Sequence, residues 1–201
     1  NNAPISETKT HGISGGFNFR KAMQMFFFNA SVSYNNTELN TISSYSLSNN
    51  IQQRVVLPLE NHFKNLMFNA NASKYLFALK STVNFGVSYT ESRYNQLQNN
   101  DLLPFKTEII SYKGGFEAKL ASFMNWSYNA TYSVTQNKAE IADAIKTNFK
   151  QLRQQSTLAF ATVQNVYLNL SVEHLFTNQS NQPNLKYLFA DANMKYKILK
   201  F

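Results

Sequence analysis

Ser81 to Thr90 reads Ser-Thr-Val-Asn-Phe-Gly-Val-Ser-Tyr-Thr, and no other stretch restricts the fold as tightly. Side chains alternate faces along an extended strand, so Val83, Phe85, Val87 and Tyr89 share one side and Thr82, Asn84, Gly86, Ser88 and Thr90 the other. One face is apolar and the other polar or small. The same text recurs elsewhere. Phe26, Phe28, Ala30, Val32 and Tyr34 alternate with Phe27, Asn29, Ser31 and Ser33, and Trp126, Tyr128, Ala130, Tyr132 and Val134 alternate with Ser127, Asn129, Thr131 and Ser133. Whatever solvates the apolar faces decides what the chain is.

Extending this reading predicts about nine antiparallel strands: Gly12–Arg20, Gln24–Asn36, Asn61–Ser73, Phe77–Glu91, Lys106–Leu120, Met124–Gln136, Phe149–Thr162, Asn165–Phe176 and Lys186–Leu199. Short turns are expected at Lys21–Met23, Lys74–Leu76, Ala121–Phe123 and Val163–Gln164. Long polar loops are expected at Thr37–Glu60, Ser92–Phe105, Asn137–Asn148 and Thr177–Leu185. A short helix over Lys138–Lys150 is an alternative, with Ala139, Ile141, Ala142, Ile145 and Phe149 on one side. The short turns fall at one end of the sheet and the long loops at the other, the asymmetry of an outer-membrane barrel. The strands exceed the ~5–6 residues usual in soluble sheets and match the ~9–11 needed to cross a bilayer at a tilt. In lipid only closure satisfies every backbone group of a sheet. The competing fold is a β-sandwich whose apolar faces pack on each other, which would make a secreted or surface binding or adhesive module without transport activity.

Charge placement separates the two. Alternation puts Lys80, Asn84, Lys113, Glu117, Lys119, Arg153, Glu173, Asp191 and Lys195 on the polar face, expected to line a lumen and meet a plug or ligand. Mutual pairing is the default expectation for the charges among them. Phe28, Val83, Phe85, Val87, Tyr112, Trp126, Tyr128, Leu168 and Met194 fall on the face expected to meet lipid. Lys64 and Glu108 fall outward but at the loop ends, away from the band where a charge on the lipid face costs ~2–4 kcal/mol. Tyr34, Tyr89, Tyr112 and Tyr132 toward the loops, with Phe19, Phe26, Phe77 and Trp126 toward the turns, form two expected aromatic girdles.

Composition removes other classes. Aromatics reach 14% while charged residues are only 15%. No stretch approaches the ~18 consecutive apolar residues of a membrane helix. The formal charge is +8, but the cations are scattered singly and form no stripe for nucleic acid. Cysteine is absent, and His11, His62 and His174 lack metal-ligand spacing. Ser171 and His174, three apart on a strand, point to opposite faces and cannot act as nucleophile and base. The chain is expected to be no enzyme and to need no cofactor. Asn-x-Ser/Thr patterns at Asn29, Asn35, Asn71, Asn125, Asn129, Asn169 and Asn178 are what a polar face of Asn, Ser and Thr writes at period two. The Gly15-Gly16 and Gly114-Gly115 pairs mark bends or a close backbone approach.

Tyr187-Leu-Phe-Ala-Asp-Ala-Asn-Met-Lys-Tyr-Lys and the repeated Asn29-Ala-Ser and Asn129-Ala-Thr phrases resemble the outer-membrane β-barrel of TonB-dependent receptors, especially the group whose barrel follows a carboxypeptidase-regulatory-like domain. The resemblance lies in strand pattern over most of the chain and involves no catalytic motif. It implies an all-β, antiparallel transmembrane β-barrel, with residues 1–201 a single segment of a barrel of about 22 strands. No plug domain or TonB box is found in these residues. An odd count of about nine strands fits a fragment, because single-chain bacterial barrels have even numbers. Phe201 lies out of phase with the outward parity of Met194, Tyr196 and Ile198, and is expected at a turn. The implied role is substrate uptake, or a subunit of an outer-membrane complex, in the cell outer membrane. The implied partners are outer-membrane lipid, the protein's own plug, the TonB system, and a surface lipoprotein or other envelope subunits.

Overall fold

A computed structural model describes residues 5–48, 51–98, 101–140, 146–161, 166–180 and 182–196. Among these residues eleven strands run in chain order: β1 (Thr8–Lys21), β2 (Phe26–Leu39), β3 (Ile42–Ser48), β4 (Ile51–Leu57), β5 (Asn61–Leu76), β6 (Ser81–Gln98), β7 (Asp101–Ala121), β8 (Met124–Ala139), β9 (Lys146–Ala161), β10 (Val166–Gln179) and β11 (Leu185–Tyr196). Nine form one sheet in the order β1-β2-β5-β6-β7-β8-β9-β10-β11, antiparallel throughout, and β3 pairs with β4 in a separate hairpin. All nine strands read from the alternation are present in this sheet. The sheet is open, with β1 and β11 at its edges. Among the described residues no helix is long and apolar enough to cross a membrane.

The strands run longer than the alternation predicts. β6 and β7 stay paired out to Gln98 and Asp101, so the expected loop Ser92–Phe105 is largely a two-stranded ribbon. The expected loop Asn137–Asn148 is likewise strand up to Ala139 and from Lys146. That pairing excludes the helical alternative at both ends of Lys138–Lys150, whose centre lies outside the described residues. The loop Thr37–Glu60 holds the unforeseen β3–β4 hairpin, at the start of which Thr41 and Ile42 are buried.

One turn falls three residues later than expected. Lys74–Leu76 belongs to β5, and the chain reverses through a 3₁₀ turn at Phe77–Leu79 closed by Lys80 at φ 46°. Phe77 therefore starts no strand, and Lys80 sits in a turn rather than on a strand's polar face. The β1–β2 turn is built the same way, with Ala22–Gln24 followed by Met25 at φ 44°. The Met25 and Lys80 amides donate to the carbonyls of Ala22 and Phe77 at 3.0 and 3.2 Å. The β7–β8 turn falls at Ser122-Phe123, as the sequence predicts to within a residue, after a register shift between Lys119 and Ala121. Val163–Gln164 and Phe201 lie outside the described residues.

Among the described residues no second layer covers the apolar face. Among the described residues the buried apolar side chains are Ile42 and Ala118, whereas Phe85 is 56% and Met194 73% exposed. A sandwich would bury this face, because each large apolar side chain left in water forfeits ~1.5–3 kcal/mol.

Candidate functional site

Strand register assigns every side chain to a face, because direct cross-strand partners point the same way. Asn84, Gly115, Asn129, Gln155 and Glu173 are successive partners from β6 to β10. Gly86, Lys113, Thr131 and Arg153 form the next row, and Thr82, Glu117, Ser127, Thr157, Ser171 and Asp191 another. Lys119 pairs with Asn125, and Lys195 with Tyr167. Apart from Lys80, all the residues expected on the polar face share it. The nine apolar-face residues also share a side: Phe28 joins Ala72 and Phe85, Val87 pairs with Tyr112 and Tyr112 in turn with Tyr132, and Leu168 pairs with Met194. Ser171 and His174 fall on opposite faces.

The centre of the polar face is a shallow recess lined by Asn29, Asn71, Asn84, Gly86, Lys113 and Asn129, among others. Glycine shapes it. A Cβ on Gly86 would stand 2.6 Å from Asn71 Oδ1, so the Asn71 amide occupies the room left there and donates to Asn29 Oδ1 at 3.1 Å. Two further recesses, toward the turn ends, are lined by Glu117, Lys119 and Asn125 and by Tyr167, Asn193 and Lys195.

The expected pairing of polar-face charges is met once. Arg153 clasps Glu173 with two contacts, Nε to Oε1 at 2.7 Å and Nη2 to Oε2 at 3.0 Å, across β9 and β10. Among the described residues, Lys113, Glu117, Lys119, Asp191 and Lys195 form no ion pair, and all are exposed. No group of three or more His, Cys, Asp or Glu among the described residues could hold a metal. Of the seven Asn-x-Ser/Thr asparagines, Asn178 alone leaves the polar face, pairing with Lys150 on the apolar parity.

Two features of this sheet escape sequence reasoning. Phe63, Tyr94 and Phe105 are direct partners at the loop end of the polar face, with ring centroids 6.3 and 6.0 Å apart. Tyr94 and Phe105 fall within or at the edge of a stretch that reads as loop, which hides the ladder. On the apolar face, Ser156 and Gln154 interrupt the hydrophobic text of β9. Each has a partner: the Trp126 indole N–H donates to Ser156 Oγ at 2.9 Å, and Gln154 Nε2 donates to Tyr128 Oη at 2.8 Å. Gln154 Oε1 also lies 3.1 Å from His174 Nδ1. These bonds satisfy the polar groups within the wall.

No family model matches the sequence, and no curated protein matches it significantly. Solved structures do resemble the fold. The alcaligin outer membrane receptor FauA from Bordetella pertussis superposes with a TM-score of 0.69 at 12% identity, over 96% of this chain and 33% of its own. FpvAI, in a complex with pyocin S2, gives 0.66 at 11% identity, over 96% and 35%. BauA, the ferric preacinetobactin receptor from Acinetobacter baumannii, gives 0.61 at 12%, over 94% and 37%. The chain thus spans about a third of the length of these receptors, and its open nine-stranded sheet has the fold of part of an outer-membrane β-barrel wall.

Proposed function

We propose that this chain is a wall segment of a plugged outer-membrane receptor of the TonB-dependent kind, whose polar face lines the lumen and whose apolar face meets lipid. The carrying observation is the sorting of charge by register. Asn84, Lys113, Glu117, Lys119, Arg153, Glu173, Asp191 and Lys195 share one face, and the central positions of the other are apolar or internally hydrogen-bonded. A lumen tolerates unpaired charge because it holds water or a plug, and a lipid face does not. Arg153 and Glu173 neutralise each other, which leaves Lys113 and Lys119 as the cations offered to a plug or a passing ligand on the central strands. The role is uptake, or wall-building within a larger envelope complex with a surface lipoprotein or other subunits, and the chain itself is non-catalytic.

Charge reversal of Lys113 and Lys119 in the full-length protein tests this reading. Uptake or plug stability is expected to change while insertion, read by heat-modifiable gel mobility, stays intact. Normal transport with both reversed would remove these lysines from the mechanism.

A further inference from the structure

On the apolar-parity face, register lines up Lys64, Arg93, Lys106, Lys138 and Lys146 as successive direct partners across β5 to β9. All but Lys106 are exposed. Like charges directly opposite each other destabilise a ladder, and here four such pairs follow one another. The neighbouring rows supply Glu91 and Glu108 on the turn side and Glu38, the partner of His62, on the loop side. Glu91 takes Arg93 at 2.8 Å and shares Lys106 with Glu108, at 3.2 and 3.0 Å, while the Tyr89 hydroxyl donates toward both carboxylates. Among the described residues, Lys64, Lys138 and Lys146 have no ion pair. Glu140 stands near the row, its backbone amide donating to Pro104 O at 2.7 Å. Cations of the row outnumber these carboxylates even with Glu38 and Glu140 counted.

The row's height matters as much as its charge. Arg93 lies beyond Tyr89 on β6, and Lys106 and Lys138 lie beyond Tyr112 and Tyr132 on β7 and β8, always toward the loops. With ~3.4 Å rise per residue and a ~40° tilt, the cations stand roughly 10–15 Å beyond the tyrosine girdle, outside the hydrocarbon band. Ammonium groups attract phosphate as point charges and guanidinium as a fork. We propose that this row binds the phosphate groups of an anionic lipid in the outer leaflet, on the outer surface of the barrel. The proposal rests on the membrane-wall reading given above. The bound phosphates relieve the cross-strand repulsion and tie the wall to its lipid.

The test uses the full-length protein, extracted in detergent, washed, and returned to phosphatidylcholine vesicles with or without phosphatidylglycerol or a diphosphorylated glycolipid. Lipid phosphate retained per protein is measured after a second detergent wash. The triple variant Lys64→Gln, Lys138→Gln, Lys146→Gln removes only unpaired cations and is expected to retain at least about tenfold less anionic lipid. The corresponding Lys→Arg triple should retain it as wild type does, and the gentler single variant Lys138→Gln should lose about threefold. Equal retention by wild type and the Gln variants overturns the proposal. Displacement of the lipid by millimolar inorganic phosphate also overturns it, since the site would then be one for free phosphate. Heat-modifiable mobility, read in parallel, reports the barrel: its absence in wild type would sink the membrane-wall reading, whereas its presence with unchanged retention sinks this proposal alone.

Discussion

Lys80 holds a backbone conformation that L-residues avoid. At φ 46° it sits in the left-handed region and closes the β5–β6 turn, where a Cβ costs ~1–2 kcal/mol. Met25 does the same in the β1–β2 turn. Glycine would relieve the strain, offset by ~0.4–1 kcal/mol of extra freedom in the unfolded chain. Lys80→Gly is therefore expected to be neutral or stabilising by up to ~1 kcal/mol, and Lys80→Val destabilising by ~1 kcal/mol or more because a β-branched side chain is least tolerated there. Urea unfolding of the full-length protein in lipid vesicles gives the order. A Val variant as stable as the Gly variant would show that the turn does not need this conformation. The same residue shows why the sequence misplaces this turn: Phe77-Ala-Leu-Lys contains no glycine, proline, asparagine or aspartate, and those residues supply most turn signals.

At the scale of the strand, alternation is legible wherever one face is apolar, and it fails where both faces are wet. β6 from Ser81 to Tyr89 can be read directly, but beyond Arg93 its Asn and Gln text carries no contrast between faces, so strand reads as loop. The polar-face assignments of Lys113, Glu117 and Asp191 survive because each lies within a strand of clear phase. The cation row was invisible for a different reason: its members are scattered singly along the chain, and only register brings Lys64 to Arg93 and Lys138 to Lys146. The same logic yields a paired test on β6. Phe85→Lys would put a charge in the apolar band and is expected to cost ~2–4 kcal/mol in lipid. Asn84→Lys, one residue away on the opposite face, should fall within ~0.5 kcal/mol. A lipid-restricted photoprobe placed at each position should label at Phe85 and not at Asn84. Equal costs, or labelling at neither position, would end the assignment of faces.

At the scale of the molecule, the open sheet decides what this segment can do unaided. β1 and β11 are both edges, and among the described residues each offers a row of backbone N–H and C=O groups without a strand beside it. In water such an edge invites aggregation, and in hydrocarbon each unsatisfied group costs several kcal/mol. Side chains on both edge strands are exposed throughout the described residues, including Ile13 at 75% and Met194 at 73%, so the edges lack lateral packing as well. Membership in a longer wall resolves both problems at once, since the flanking strands of a complete barrel would pair with β1 and β11 and continue the apolar band. Residues 1–201 expressed alone are accordingly expected to give no heat-modifiable species in vesicles, while the full-length protein does. Co-expression with the remaining barrel strands should restore that species if the two parts can pair along these edges. Spontaneous insertion of the isolated segment as a discrete heat-modifiable monomer would mean that the nine strands close on themselves, and the larger wall would no longer be required.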